Sequence, residues 1–376
     1  MGRQALDMLK DDQWVGMVIG NQADHFCAGV NLGVLAMAVA NLGQEARSFT
    51  GSQAGVITDS KHGKARIIDV TPGRISDALA DGAIAIVAGF QGVSQDTKDV
   101  TTLGRGGSDI TPVALAAALG ASVCEIYTDV DGIFTADPRL VPTARPIPRI
   151  TYEEMLEMAA CGAKVLHLRS AEYARRYGIS IHVRSSFSNK AGTWVVKDTE
   201  GEQMEQAIIA GVAHDRSEAK ITVVGVPDTP GEAAKIFRAV ADAELNIDMI
   251  VQNVSTASTG RTDISFTLPI TDGPTAMAAL RTVQKDVGFE SLECDEQIGK
   301  VSLVGAGMRT HPGVTARFFT ALADAGVNIE LISTSEIRIS IICRERDVQV
   351  AVAAAHKAFE LDSVDQLATV YGGTGR

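Results

Sequence analysis

Residues 101–139 read TTLGRGGSDITPVALAAALGASVCEIYTDVDGIFTADPR, and they combine a glycine-rich turn, an Ala- and Leu-rich run and a β-branched run that ends in an Asp-Gly turn. We predict a helix over residues 111–119 and a strand over residues 122–128. The alternation continues on both sides, with further strands at 65–70, 83–90 and 179–185 and further helices at 74–81, 152–160 and 166–177. Strands that alternate with helices indicate one α/β domain with a mostly parallel, covered sheet, which we place at residues 43–198.

The composition excludes several classes of protein. With 376 residues, 45% apolar and 21% charged, the chain is typical of a globular protein of two or three domains. A net charge of -12 without a run of Lys or Arg argues against nucleic acid as the main ligand. Five cysteines lie far apart without metal-ligand spacing, so we expect no metal site in the protein itself and a reducing cytoplasm. The most apolar stretch, residues 27–39, is too short for a membrane span and predicts a buried helix.

An internal repeat follows a polar stretch at residues 198–206. ITVVGVPDTPGEAAKIFRAVADAELNIDMIVQNVS, from Ile221, aligns with VSLVGAGMRTHPGVTARFFTALADAGVNIELISTS, from Val301. Each copy predicts a strand, a Pro-Gly loop, a helix and a strand. The apolar helix positions fall on one face and predict core: Ala233, Ile236, Phe237, Val240 and Ala243 in the first copy, and Val314, Phe318, Leu322 and Ala325 in the second. The repeat is either plain scaffolding or, through its Asn-Ile-Asp/Glu run, a site for an amino acid.

The turn at residues 104–109 could hold an anion. Its glycines let backbone N–H groups approach a phosphate or carboxylate, and the following helix start adds positive potential. Arg105 can fork onto a carboxylate. Asp109 either takes part in the chemistry or only caps the helix.

The segment after the predicted strand at 122–128 carries a second group of charged residues. Asp129 and Asp131 could orient Mg²⁺ or a ribose, and Arg139 could face a phosphate, although two such aspartates can also be simple turn formers. Lys164 is predicted to open a helix, either as a ligand or as a solvated lysine. Since no GxSxG, HExxH or Walker GxxxxGK[ST] motif is present, hydrolase, metalloprotease and P-loop functions are excluded.

Many stretches of the chain, from about residue 46 to residue 376, resemble the bacterial aspartokinases. They are SFTGSQAGVITD (48–59), ARIIDVTPGRI (65–75), VAGFQGVSQDTKDVTTLGRGGSD (87–109), YTDVDGIFTADPR (127–139), ITYEEMLEMAACGAKVL (150–166), VRSSFSNKAGT (183–193), the first copy of the repeat, LVGAGMRTHPGVTA (303–316), NIELISTSEIRIS (328–340) and VYGGTGR (370–376). The resemblance implies an amino-acid-kinase αβα sandwich followed by two ferredoxin-like βαββαβ ACT domains, at 206–285 and 298–376, with the last strand shared with the first ACT domain.

The resemblance also implies the activity. An aspartokinase uses ATP with Mg²⁺ to convert L-aspartate into 4-phospho-L-aspartate, the first step towards lysine, threonine and methionine. Lysine or threonine would inhibit it through the ACT domains, which would also join copies of the chain into a homo-oligomer.

Site residues follow from the matching motifs. Arg105 would hold the substrate carboxylate, Gly106, Gly107 and Ser108 would line its pocket, and Asp109 would organise the catalytic lysine. The ATP-binding positions would be Thr128, Asp129, Asp131, Phe134 (a Tyr in most of the family), Thr135, Ala136, Asp137, Pro138, Arg139 and Lys164. The effector-binding positions would be Asp228, Asn246, Ile247, Asp248, Gln252, Asn328, Ile329, Thr334 and Ser335.

The opening residues, 1–42, follow a different pattern. Residues 11–40 resemble the oxyanion-hole region of the crotonase superfamily, centred on residues 26–29, and the GMVIGN run at 16–21 predicts a central strand. The Lys-x-Gly-Gly segment of aspartokinases has no counterpart, because Lys10, the sole lysine before Lys61, is followed by Asp11 and Asp12. We therefore keep an alternative to the enzyme, a catalytically silent subunit that binds lysine or threonine. Another amino-acid kinase would fit the α/β part but not the repeat.

Overall fold

We analysed a computed structural model of the protein. The structure describes residues 17–19, 25–104, 106–197, 208–253, 260–306, 308, 311, 313–363 and 368–371. Lys10, Asp11, Asp12 and Arg105 lie outside these residues, as do the side chains at 26–29, so the predictions made for them are not addressed by the fold.

The first half of the chain is an alternation of strands and helices, as the sequence predicts. Its strands are β1 (Met17–Ile19), β2 (Ala46–Phe49), β3 (Val56–Thr58), β4 (Ile67–Val70), β5 (Ile84–Ala88), β6 (Gln91–Ser94), β7 (Val100–Thr102), β8 (Val123–Thr128), β9 (Arg149–Thr151), β10 (Ser180–Ser185) and β11 (Thr193–Val196). Its helices are α1 (His25–Asn41), α2 (Gly73–Ala80), α3 (Gly107–Leu119), α4 (Tyr152–Ala160) and α5 (Leu168–Tyr177). We call residues 43–198 the kinase region.

Within the described residues, the predicted single sheet is divided into three hydrogen-bonded groups, ordered β1-β5-β2, β4-β3-β6-β7 and β8-β10-β11-β9. Parallel pairs predominate, and the antiparallel ones are β3 with β4, β6 with β7, and β10 with β11. β1 pairs in parallel with β5, but it lies at the edge of its group and not in the centre as predicted.

Strand β5 shows why this part is a sandwich. All five of its residues are buried: Ala85 and Val87 pack with α2, and Ile84 and Ile86 pack with α1. A strand covered on both faces needs a continuous apolar run, which the sequence IAIVA supplies. The prediction that residues 27–39 form a buried helix was only half right, because α1 covers one face of β5 and leaves Met37 62% exposed.

The second half contains two βαβ-based modules that match the predicted repeat. The strands are β12 (Ile208–Asp215), β13 (Glu218–Pro227), β14 (Ile250–Gln252), β15 (Arg261–Pro269), β16 (Ser291–Asp295), β17 (Ile298–Ala306), β18 (Leu331–Thr334) and β19 (Arg338–Arg344). The helices are α6 (Glu232–Asp242), α7 (Gly273–Val287), α8 (Gly313–Asp324) and α9 (Val348–Ala358). The predicted apolar faces of α6 and α8 lie in the two module cores, with Ile236 and Phe318 fully buried.

The two modules complete their sheets differently. The first has the order β14-β15-β13-β16, so its own fourth strand, β16, pairs with β13. The second has the order β12-β17-β19-β18, and the equivalent edge of β17 is filled by β12, which precedes the first module in sequence. The described residues at the end of the chain pair instead with the kinase region, through Val370 with Val130 and Asp362 with Ala144.

No helix among the described residues is long and apolar enough to cross a bilayer.

Candidate functional site

A cleft opens beyond the carboxyl end of β8, the edge at which open α/β sheets bind their ligands. It is lined by Thr128, Asp129, Val130, Ile133, Phe134, Ala136, Asp137, Pro138, Arg139, Met158, Gly162, Ala163, Lys164, Val165, Val212, Ala213, His214 and Val370. Most of the predicted ATP-binding residues therefore face one cavity. Its other walls come from the end of α4, from β12 and from Val370.

Cationic side chains stand at this cleft. The guanidinium of Arg139 lies 3.9 Å from a carboxylate oxygen of Asp129 and 3.9 Å from one of Asp137, with 37% of its side chain exposed. Such long, solvated contacts leave the guanidinium available to a phosphate. Lys164 is also exposed, but it lies in the loop between α4 and α5 and does not open a helix as predicted, because α5 begins at Leu168.

Two predicted ATP-binding residues are turned away from the cleft. The carboxylate of Asp131 is buried and accepts hydrogen bonds from Ser188 Oγ at 2.6 Å and Lys190 Nζ at 2.8 Å. The hydroxyl of Thr135 is also buried, 2.8 Å from His356 Nε2. Both side chains form buried hydrogen bonds that hold the turn. The motif suggested that they contact a nucleotide, but these hydrogen bonds direct them away from the cleft.

The glycine-rich turn forms the start of α3. Gly106 has φ 78°, and a Cβ there would lie 2.1 Å from the His167 ring, so only glycine fits. The helix begins at Gly107, four residues earlier than predicted, with Gly106 as its N-cap. Asp109 therefore lies inside the first turn and is not the N-cap.

The carboxylate of Asp109 is held between two elements. Ser108 Oγ donates to one oxygen at 3.0 Å, and the backbone N–H of His167 donates to the other at 3.3 Å. Burial raises the pKa of Asp109, and these two hydrogen bonds partly oppose that rise. The loop that carries Lys164 is thereby attached to the start of α3.

The glycine turn and the cleft lie at the same edge of the sheet. Helix α3 runs back along β8, and a helix of 13 residues and a strand of 6 residues are both about 20 Å long. The start of α3 therefore lies near the end of β8, where the cleft begins. Residues 106–109 do not line the cleft themselves; the loop from Lys164 to His167 joins the two stretches.

The predicted effector positions lie in corresponding loops of the two modules. Asn246 and Ile247 precede β14, Asn328 and Ile329 precede β18, and these two strands are in contact. The remaining positions, Asp228, Gln252, Thr334 and Ser335, are exposed at the ends of strands or in the loops beside them.

Asp248 differs from the other effector positions because its carboxylate is already paired. It lies 2.7 Å from Nζ of Lys300, a fully buried lysine of the second module that also pairs with Glu218 and donates to the backbone oxygen of Ala160 at 3.4 Å. Burial alone would lower the pKa of Lys300, but the two carboxylates outweigh it and raise that pKa. The triad of Lys300, Glu218 and Asp248 thus connects both modules to the last residue of α4.

Sequence reasoning missed three residues of the site: His167, His214 and Val370. His167 packs on Gly106, while His214 and Val370 line the cleft from outside the kinase region. Burial lowers the pKa of His214, with Asp137 opposing and Lys164 reinforcing the effect. Val370 begins the VYGGTGR stretch, but neither that stretch nor the sequence around the two histidines indicates contact with this site, because each contact depends on tertiary packing.

Comparisons of the sequence and of the fold with known proteins indicate the same family. Residues 5–185 match the model of the amino acid kinase family, and residues 221–284 and 301–359 match an ACT domain. An aspartokinase from Mycobacterium tuberculosis (strain ATCC 25618 / H37Rv) is 65% identical over 343 residues, which is 91% of this chain and 81% of that protein.

Two solved structures of E. coli aspartokinase III have the same fold. The complex with aspartate and ADP (R-state) gives a TM-score of 0.73 at 26% identity, over 88% of this chain and 73% of that one. The complex with lysine and aspartate (T-state) gives 0.64 at 26% identity with the same coverage. The kinase fold, the paired ACT modules and the relative at 65% identity agree, and the chain belongs to the aspartokinase family.

Proposed function

We propose that this chain phosphorylates L-aspartate. A side-chain carboxylate oxygen of aspartate forms a bond to the γ-phosphorus of ATP while the bond from that phosphorus to the β,γ-bridging oxygen breaks, which gives 4-phospho-L-aspartate and ADP. The observation that carries the proposal is the position of the cationic cleft and the glycine turn at one edge of the sheet.

The charges and the apolar lining of the cleft support a nucleotide site. Arg139 and Lys164 are cations at its mouth, and Phe134 offers an apolar wall in place of the family's usual Tyr. Phosphoryl transfer depends almost wholly on positioned charge, so these two cations would orient and neutralise the phosphates. Thr128, Ala136 and Pro138 shape the remaining floor of the cleft.

The start of α3 suits the amino-acid substrate. The positive end of the helix dipole and the glycine backbone at Gly106 and Gly107 favour an anion there. Arg105 would fork onto the substrate carboxylate, and Ser108 and Asp109 would organise the site beside it. The E. coli aspartokinase III structure holds aspartate and ADP together, which supports two adjacent sites.

Mg²⁺ would enter with ATP. In kinases this ion is held by phosphates and by one or two carboxylates, and it keeps several waters. The Asp129 carboxylate, which lines the cleft beside Arg139, suits that role.

Lysine or threonine would act at the loops before β14 and β18, in the cytoplasm, on a homo-oligomer. The E. coli aspartokinase III complex with lysine supports the effector class. Ile250 on β14 and Ile332 on β18 are 50% and 45% exposed, and apolar side chains on adjacent strands are suited to contact a second copy. We place the first ACT domain at 218–295, which corrects the expected 206–285, and the second at 298–358 with β12 completing its sheet, which corrects the expected 298–376.

The test is the formation of aspartyl hydroxamate from aspartate, ATP and hydroxylamine, with glutamate as the control substrate. Turnover that requires aspartate and falls in Arg139→Ala supports the proposal. The alternative, a catalytically silent subunit, predicts that lysine or threonine binds in a calorimeter while no hydroxamate forms; that result would overturn the catalytic proposal.

A further inference from the structure

Residues 361–363 and 368–371, which come after α9, lie along residues 129–145, the segment that carries much of the nucleotide cleft. We call them the docking segment. It follows the last helix of the second ACT module, yet apart from the bond of Leu361 N to His356 O its backbone hydrogen bonds go to residues 129–145 of the kinase region.

Backbone hydrogen bonds hold this contact at several points. The N–H of Tyr371 donates to the carbonyl of Asp129 at 2.9 Å, and Val370 forms an antiparallel bridge with Val130. Further bonds run from Ala368 N to Pro142 O at 2.9 Å, from Ser363 N to Thr143 O at 2.7 Å and from Thr135 Oγ1 to Leu361 O at 3.1 Å. The docking segment thus contacts residues 129–145 at several points along their length.

Val370 and Tyr371, the last two residues of the docking segment, contact the cleft and the loop beside it. Val370 is part of the cleft wall, and the ring of Tyr371 stacks on Phe187 with ring centroids 5.9 Å apart. Phe187 is next to Ser188, which together with Lys190 holds the buried carboxylate of Asp131. Tyr371 therefore connects both sides of the Asp129 to Asp131 turn.

We propose that Tyr371 is a positioning residue for the nucleotide: its N–H fixes the backbone of Asp129, and its ring fixes the loop that anchors Asp131, so that Asp129 and Arg139 face the phosphates. The inference rests on the proposed nucleotide site. Through this contact, residues that follow the second ACT module directly affect the geometry of the nucleotide site. In the part of the chain that the structure describes, the effector loops make no such contact.

Three variants separate the backbone contact from the ring. Tyr371→Pro removes the N–H donor, and it remains compatible with the extended backbone at Val370 because the residue before proline favours that conformation. Tyr371→Ala keeps the donor and removes the ring. Tyr371→Phe keeps both and serves as the conservative rescue.

The measurement is the calorimetric affinity for ADP and for aspartate, with the thermal midpoint recorded for each variant. We expect ADP affinity to fall about three- to tenfold in Tyr371→Pro, as for one lost hydrogen bond, to fall less in Tyr371→Ala and to stay unchanged in Tyr371→Phe. Aspartate affinity should not change.

The inference is overturned if Tyr371→Pro binds ADP like the unaltered chain, or if its affinities for ADP and aspartate fall together with the thermal midpoint, which would indicate a merely structural role. Since the readout is binding, it gives an answer even if the chain forms no hydroxamate. Failure of the unaltered chain to bind ADP would overturn this inference together with the proposed nucleotide site.

Discussion

Gly106 shows how a single residue determines the geometry of the glycine-rich turn. Its positive φ excludes most side chains, and the His167 ring occupies the place of a Cβ. The motif alone pointed to this glycine, but its reason, contact with a histidine sixty-one positions later, depends on the fold. Asp131 and Thr135 show the opposite case, because the motif includes them while the structure uses their side chains to hold the turn.

Gly106→Ala should impair aspartate binding. The strained φ costs about 1 kcal/mol, and the displaced His167 would also move the Asp109 carboxylate, so we expect the KM for aspartate to rise about tenfold or more. Gly120→Ala is the matched control, since Gly120 has φ 68° at the other end of α3 and open space around its Cβ position. A similar KM in both variants would refute the role of the His167 contact.

The partly buried His214 and the fully buried His356 should make stability depend on pH. Burial lowers the pKa of His356 and of His214 below the ordinary 6.5, with Asp362 and Asp137 partly opposing. Below pH 6.5 the unfolded chain binds protons that the folded chain rejects, so the free energy of unfolding decreases as the pH falls and is constant, for these groups, above that value.

The check is denaturant unfolding at several pH values between 7.5 and 5.5. His356→Gln should show a smaller loss of stability over this range than the unaltered chain. If the free energy of unfolding falls equally steeply with decreasing pH in both proteins, His356 does not cause the pH dependence.

At the scale of elements, periodicity predicted most helices and strands because their apolar faces repeat within a few residues. Helix α4 was predicted at its observed bounds, and the apolar faces of α6 and α8 are buried as expected. The triad of Lys300, Glu218 and Asp248 could not be predicted, since it joins residues from three separate elements and no local pattern distinguishes a buried lysine from a surface one.

Lys300→Met should destabilise the junction of these elements strongly. It would leave the carboxylates of Glu218 and Asp248 without their buried partner, and breaking a buried ion pair in this way costs about 3 to 5 kcal/mol of unfolding free energy. The readout is urea unfolding.

Lys61→Met is the control, because the pair of Lys61 and Glu244 is solvent-exposed and its loss should leave the unfolding curve unchanged. A stability of Lys300→Met equal to that of this control would contradict the importance of the triad.

At the scale of the whole molecule, two segments pair away from their neighbours in sequence: β12 completes the second ACT sheet, and residues 368–371 pack on the kinase region. The repeat predicted two modules. It could not show that β12 pairs with β17, because the periodicity of a strand does not indicate which sheet the strand joins. The cleft therefore has walls from both halves of the chain, with His214 and Val370 facing Arg139 and Lys164. The effect of a module on catalysis would be transmitted through these walls.

The central claim is that the glycine turn and the cleft form one site for an acidic amino acid and a nucleotide. A crystal structure of the protein with aspartate, Mg²⁺ and a non-hydrolysable ATP analogue tests it most directly. We predict phosphates between Arg139 and Lys164, aspartate at the start of α3, and a side-chain oxygen of aspartate about 3 to 3.5 Å from the γ-phosphorus. A nucleotide outside the cleft, or an aspartate bound away from Gly106 and Gly107, would contradict the account.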